Sequence, residues 1–93
     1  DFYADWCITC KEMERKSFSD PRVQKALAGS TLLRADVTAN SADDKALLAR
    51  FKLFGPPGII FFDKNGQEIE STRVVGFQAA DEFAATLATL PRL

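Results

Sequence analysis

Asp1-Phe2-Tyr3-Ala4-Asp5-Trp6, a short and mostly apolar run rich in aromatics, leads straight into Cys7-Ile8-Thr9-Cys10 with neither Gly nor Pro between them. The first six residues read as a buried strand. From about Cys7 to Ser17 the residues are good helix formers, so a helix follows directly and positions 7, 10 and 14 share one of its faces. Two cysteines three residues apart at a helix start have Cα atoms about 5 to 6 Å apart, within the range a disulfide tolerates.

The rest of the chain supplies alternating elements. Asp20 as N-cap, Pro21 at the first helical position and Gly29 beyond the end predict a short helix over about Pro21 to Ala28. Thr31 to Val37 reads as a strand with apolar residues on both faces, interrupted by Arg34 and Asp36, with ends that are expected to be partly exposed. Ser41 with Asp44 approximates a capping box, and Ala46, Leu47, Leu48 and Phe51 form the expected core-facing stripe of a helix. Gly58 to Phe62 suits a central strand, Asn65-Gly66 a hairpin turn, and Glu68 to Val75 an alternating edge strand. Asp81-Glu82 followed by Phe83, Leu87 and Leu90 describes a closing amphipathic helix stopped by Pro91. The expected order is strand, helix, helix, strand, helix, strand, strand, helix. The first crossover should be a right-handed parallel unit and the last two strands an antiparallel hairpin, giving an α/β domain with a mixed central sheet and helices on both faces.

Ninety-three residues make one small domain, expected to span 1–93. With 46% apolar and 27% charged residues the balance is that of a globular protein. A net charge of -1 gives no basic face for nucleic acid or an anionic membrane. No run approaches the roughly 18 apolar residues of a membrane-spanning helix. The opening on a strand, with no initiator Met and no leader, suggests a piece of a longer chain.

A bridge between residues 7 and 10 closes too small a loop to staple a fold, which points to reversible redox chemistry. Cys7, at the helix start, is the expected nucleophile, and Cys10, one turn in and less exposed, is placed to resolve the mixed disulfide. The pair could instead be two buried apolar thiols. A zinc site needs four ligands, and with no His and no third Cys it could form only between two chains, so no metal is expected.

Asp1 and Glu14 are the acids within reach of the sulfurs. If buried, their raised pKa values would let them take and return the proton of Cys10. The competing readings are a frayed terminus for Asp1 and a solvated helix face for Glu14. The same charges oppose a thiolate at Cys7, and a helix end offers only about 0.3–1 kcal/mol against them. A reducing, electron-donating domain is therefore expected. Gly55-Pro56-Pro57-Gly58 is either a rigid loop or carries a cis peptide before Pro57 that aims backbone groups at a bound chain. Trp6 is either a core aromatic or a partner contact, its place at the turn favouring contact.

Asp1 to Glu12, Phe18-Ser19-Asp20-Pro21, Val37-Thr38-Ala39-Asn40 and Gly55 to Phe62 resemble the C-terminal thioredoxin-like domain of the DsbD family of bacterial thiol:disulfide interchange proteins, almost end to end. The resemblance implies a thioredoxin-like fold whose N-terminal strand and helix precede Asp1. It implies an inner-membrane parent with this domain in the periplasm, monomeric and not itself inserted. Electrons would arrive from the parent's membrane-embedded domain and leave to its N-terminal periplasmic domain, which reduces disulfide isomerases and cytochrome c maturation thioredoxins. The family's nucleophile maps onto Cys7, its resolving cysteine onto Cys10, its two modulating acids onto Asp1 and Glu14, and its cis-proline onto Pro57. Trp6, Pro56 and Pro57 would then meet the partner, and no cofactor is needed beyond the Cys7–Cys10 disulfide. Ile8-Thr9 stands where thioredoxin itself has Gly-Pro, and Gly58 where a Thr is usual. The alternatives are a free-standing thioredoxin-like reductase and a redox-inactive binding module using a Trp6/Pro57 groove.

Overall fold

The computed structural model describes residues 1–91, two short of the expected domain end. In chain order it contains β1 (Phe2–Tyr3), α1 (Ile8–Met13) running on into a π-helical turn (Glu14–Phe18), α2 (Pro21–Leu27), β2 (Ala35–Asp36) and α3 (Ala42–Arg50). β3 (Gly58–Ile59), a 3-10 turn (Glu70–Thr72), β4 (Val74–Val75) and α4 (Ala80–Ala88) complete it. The strands form one mixed sheet in the order β2-β1-β3-β4, with β2 parallel to β1 and the other two pairings antiparallel.

Side-chain alternation along the strands divides the core. Phe2 stands opposite both Ala35 and Gly58, so these three share a face, while Ile59 pairs with Val74 on the other. On the first face Phe2, Ala4, Val37, Leu48 and Leu53 pack with both cysteines; on the second, Met13, Val23, Ile59, Val74, Phe83 and Leu87 pack together. Helix α3 thus covers one side, and α2 and α4 the other.

Local chemistry sets the helix ends. The Asp20 carboxylate accepts from the Arg22 N–H at 2.8 Å with Pro21 at the first helical position. Ser41 and Asp44 form a reciprocal capping box. Asp63 organises the hairpin, its carboxylate accepting from Asn65 and Gln67 N–H groups, while Gly66 supplies the left-handed residue at φ 80°.

The strands are shorter than expected. Of Thr31 to Val37 only Ala35–Asp36 is paired, and Leu32 and Leu33 are exposed, because among the described residues β2 has a neighbour on one side only. Beyond Ile59 the chain keeps only a bridge between Phe62 and Glu68. The 3-10 turn breaks the alternation expected over Glu68 to Val75 and buries Thr72. In α3 only Leu48 is buried, with Phe51 half-buried one turn on; Ala46 and Leu47 point away from that contact and are exposed.

Candidate active site

Cys7 is the N-cap of α1, and its backbone N–H donates to the Ala4 carbonyl at 3.0 Å, so the chain turns sharply out of the sheet. Cys7 and Cys10 are disulfide-bonded, with Cα atoms 5.2 Å apart. The Cys10 backbone N–H donates to Cys7 Sγ at 3.1 Å, and Cys10 Sγ lies 3.9 Å from the Phe2 carbonyl oxygen. Exposure is 6% at Cys7 and 4% at Cys10, so the nucleophile expected at the surface shows only an edge. Trp6 and Ile8, on either side of Cys7, are 57% and 75% exposed.

Thr38 latches this turn to the end of β2. Its hydroxyl oxygen accepts from the Asp5 N–H at 2.9 Å and donates to Asp36, and its carbonyl accepts from Trp6 Nε1 at 3.0 Å. Trp6 is therefore a held surface aromatic, not a core one. The Thr38 hydroxyl and backbone N–H keep the Asp36 carboxyl below the ordinary carboxylate range. The Tyr3 phenol donates to Asp5 at 3.0 Å, which pushes its pKa up.

Glu14 lies one turn after Cys10, its backbone N–H bonded to the Cys10 carbonyl. The expected burial is not found. Its side chain is 37% exposed and ion-paired with Arg34 of the segment leading into β2, itself 48% exposed, which is the competing reading of a solvated helix face with the carboxylate paired. The Arg34 guanidinium also lies over the Tyr3 ring, 4.3 Å from its centroid. Asp1 is half-buried; its carbonyl accepts from the Ala35 N–H at 2.8 Å, and the next residue, Phe2, supplies the carbonyl that faces Cys10 Sγ. Asp1 also borders an open groove whose other walls include Phe18, Leu33, Ile59 and Phe83 and neither cysteine.

The Pro56–Pro57 peptide is cis, as one of the two readings of that loop required. Pro56 and Pro57 are half-buried, and the Pro57 carbonyl accepts from the Gly76 N–H at 3.4 Å. Gly58, the next residue, pairs with Phe2, which ties this loop to the strand bordering Cys10. A Cβ at Gly58 would come within 2.8 Å of Leu53 Cδ1, so the small residue belongs to the packing behind the site.

Arg34 and Thr38 carry no role in the sequence reading. The signal for Arg34 was its charge inside an apolar strand; for Thr38 nothing local marks it. Among the described residues no group of three or more His, Cys, Asp or Glu is placed to hold a metal ion, and no helix is long and apolar enough to cross a membrane.

Comparison with known proteins agrees with this geometry. The family model described as a thioredoxin-like domain matches residues 1–91. The thiol:disulfide interchange protein DsbD of Ralstonia nicotianae is 62% identical over 87 residues, covering 94% of this chain and 14% of that protein. The protein of the same name from Cronobacter sakazakii is 59% identical over 87 residues, covering 94% and 15%. The chain thus spans about a seventh of these relatives. Among solved structures, the reduced C-terminal domain of Neisseria meningitidis DsbD superposes with a TM-score of 0.82 at 41% identity, over 95% of this chain and 75% of that one. A Thermus thermophilus thioredoxin gives 0.70 at 27% identity, over 94% and 67%.

Proposed function

The chain belongs to the thioredoxin-like domain family, in the branch of the DsbD C-terminal domains, and on that premise we propose that it relays electrons by thiol–disulfide exchange. The observation that carries the proposal is the Cys7–Cys10 disulfide at the mouth of α1, with the Cys10 backbone N–H directed at Cys7 Sγ. That N–H bonds more strongly to a thiolate than to a thiol, which favours Cys7 as the attacking sulfur.

In the dithiol form the Cys7 thiolate attacks one sulfur of a partner disulfide. The partner S–S bond breaks, a Cys7–partner bond forms, and the departing sulfur leaves as a thiolate that takes up a proton. Cys10 then gives up its proton and attacks Cys7 Sγ. The Cys7–Cys10 bond forms, the mixed disulfide breaks, and the second partner sulfur leaves and is protonated. Two electrons and two protons have passed to the partner. Asp1 is the acid proposed to hold the proton that Cys10 loses, Glu14 the second acid whose charge bears on the sulfurs, and Trp6, Pro56 and Pro57 the surface that meets the partner.

The donor in this reading is a membrane-embedded domain of the same parent, and the acceptor its own N-terminal domain in the periplasm. The high identity to DsbD proteins supports that placement. The test is a trap: in a longer chain carrying Cys10→Ser, a mixed disulfide should accumulate on Cys7 with those two domains. Capture of cytosolic proteins alone points to a free-standing reductase. No capture, together with insulin reduction that survives Cys7→Ser, refutes the exchange chemistry.

A further inference from the structure

Glu14 does not face the sulfur pair as a free carboxylate. Its charge is met across 20 residues of sequence by Arg34, which is itself laid over the Tyr3 ring. Tyr3 is registered against Asp36, and Asp36 is tied to Thr38. The cation is thus held from two sides, by the carboxylate on the cysteine helix and by the aromatic face of β1.

We propose that Arg34 is a positioning residue for the exchange reaction, neutralising the Glu14 carboxylate and fixing it on the Cys10 face of the cysteine helix. This rests on the exchange chemistry proposed above. Two like charges one helical turn apart oppose one another. A lone Glu14 carboxylate would therefore resist the thiolate that Cys10 must become, and would also weigh against the Cys7 thiolate. Paired with Arg34 it presents a dipole and not a net charge. The planar guanidinium suits the place because it can bond a carboxylate in its plane while offering its face to an aromatic ring, which an ammonium cannot do. The other charged groups near Glu14 are Lys11 on its own helix, Asp1 at the start of β1, and Asp5, bonded to the Tyr3 hydroxyl. Of these, the Asp1 N-terminal ammonium and the Tyr3–Asp5 pair also feel the Arg34 charge, so the comparison with and without Glu14 separates their contribution.

The experiment follows the reduced chain through its pH profile of Cys7 alkylation, with insulin reduction in parallel. Arg34→Gln should move the alkylation profile upward by about 0.3 pH unit, roughly a twofold slower rate on the rising limb. Arg34→Lys, which keeps the charge and loses the stacked plane, should recover part of that shift. In a Glu14→Gln background Arg34→Gln should shift the profile clearly less, since only the guanidinium's own charge is then lost and no carboxylate is released. An unmoved profile in Arg34→Gln, or an equal shift with and without Glu14, overturns the inference. A parent chain that reduces no insulin at all overturns the exchange reading instead, and the two failures are distinct.

Discussion

Gly58→Ala tests the packing behind the site and has a sign that can be worked out beforehand. The new Cβ would lie 2.8 Å from Leu53 Cδ1 and 3.4 Å from Cδ2. These are terminal methyls that can swing, but Leu53 is buried among Phe2, Ala4 and Leu48, so the room is limited. Overpacking of this kind costs about 1–3 kcal/mol. Against it, Gly58 does not need the left-handed region, so Ala would restrict the unfolded chain favourably by about 0.4–1 kcal/mol. The net expectation is a loss of about 1 kcal/mol, or roughly 4–8 °C in the unfolding midpoint of a domain this size. Leu53→Ala alone should cost about 2–5 kcal/mol. In that background the space for the new methyl exists, only the unfolded-chain term remains, and Gly58→Ala should be neutral or stabilising by about 0.5 kcal/mol. Urea unfolding of the four oxidised chains, at constant slope, measures the cycle. A Gly58→Ala cost that is the same within about 0.5 kcal/mol in both backgrounds would refute the steric argument.

Three further outcomes are expected. Thr38→Val removes the acceptor of the Asp5 N–H, so hydrogen exchange at that amide should quicken by up to about tenfold, while amides of α4 keep their protection. Glu68 accepts two bonds from Arg73, at 2.6 and 2.9 Å, and these hold its carboxyl below the ordinary value of 4.5. A carboxylate depressed in the folded state adds stability above its unfolded pKa and loses it as pH falls through the folded one, so Glu68→Gln should be less stable at neutral pH and the gap should close below pH 4.5; a gap independent of pH would contradict this. Phe83→Ala, removing one of the most buried rings of the second cluster, should cost about 3–5 kcal/mol by denaturant titration.

What could be read in the residues was mostly what a few neighbours decide. Asp20-Pro21, Ser41 with Asp44, and Asn65-Gly66 are caps and turns whose partners lie within four positions, and each sits where its chemistry requires. The cysteine turn was legible for the same reason. Strand length was not, because pairing depends on a neighbour: Leu32 and Leu33 look like core residues, yet no partner strand meets them among the described residues. The π-helical turn at Glu14–Phe18 has no breaker residue to announce it; it is stabilised from afar, by Gln78, whose carbonyl accepts from the Ser17 hydroxyl at 2.5 Å and whose N–H donates to Met13 Sδ at 3.2 Å. Glu14 was found by its helical spacing, but its ion pair was not, since Arg34 comes to it through the parallel pairing of β1 and β2.

Arg34, Asp36 and Thr38 stand at every second position, so they project from the same side of the extended chain, while Ala35 and Val37 turn to the core. One polar ridge therefore reaches Glu14, steadies its own neighbour and clasps the Trp6-Cys7 turn. A slip of β2 by a single residue would swing all three away together. The three contacts are thus tied to strand registry as a unit, and a shift of register would remove them together.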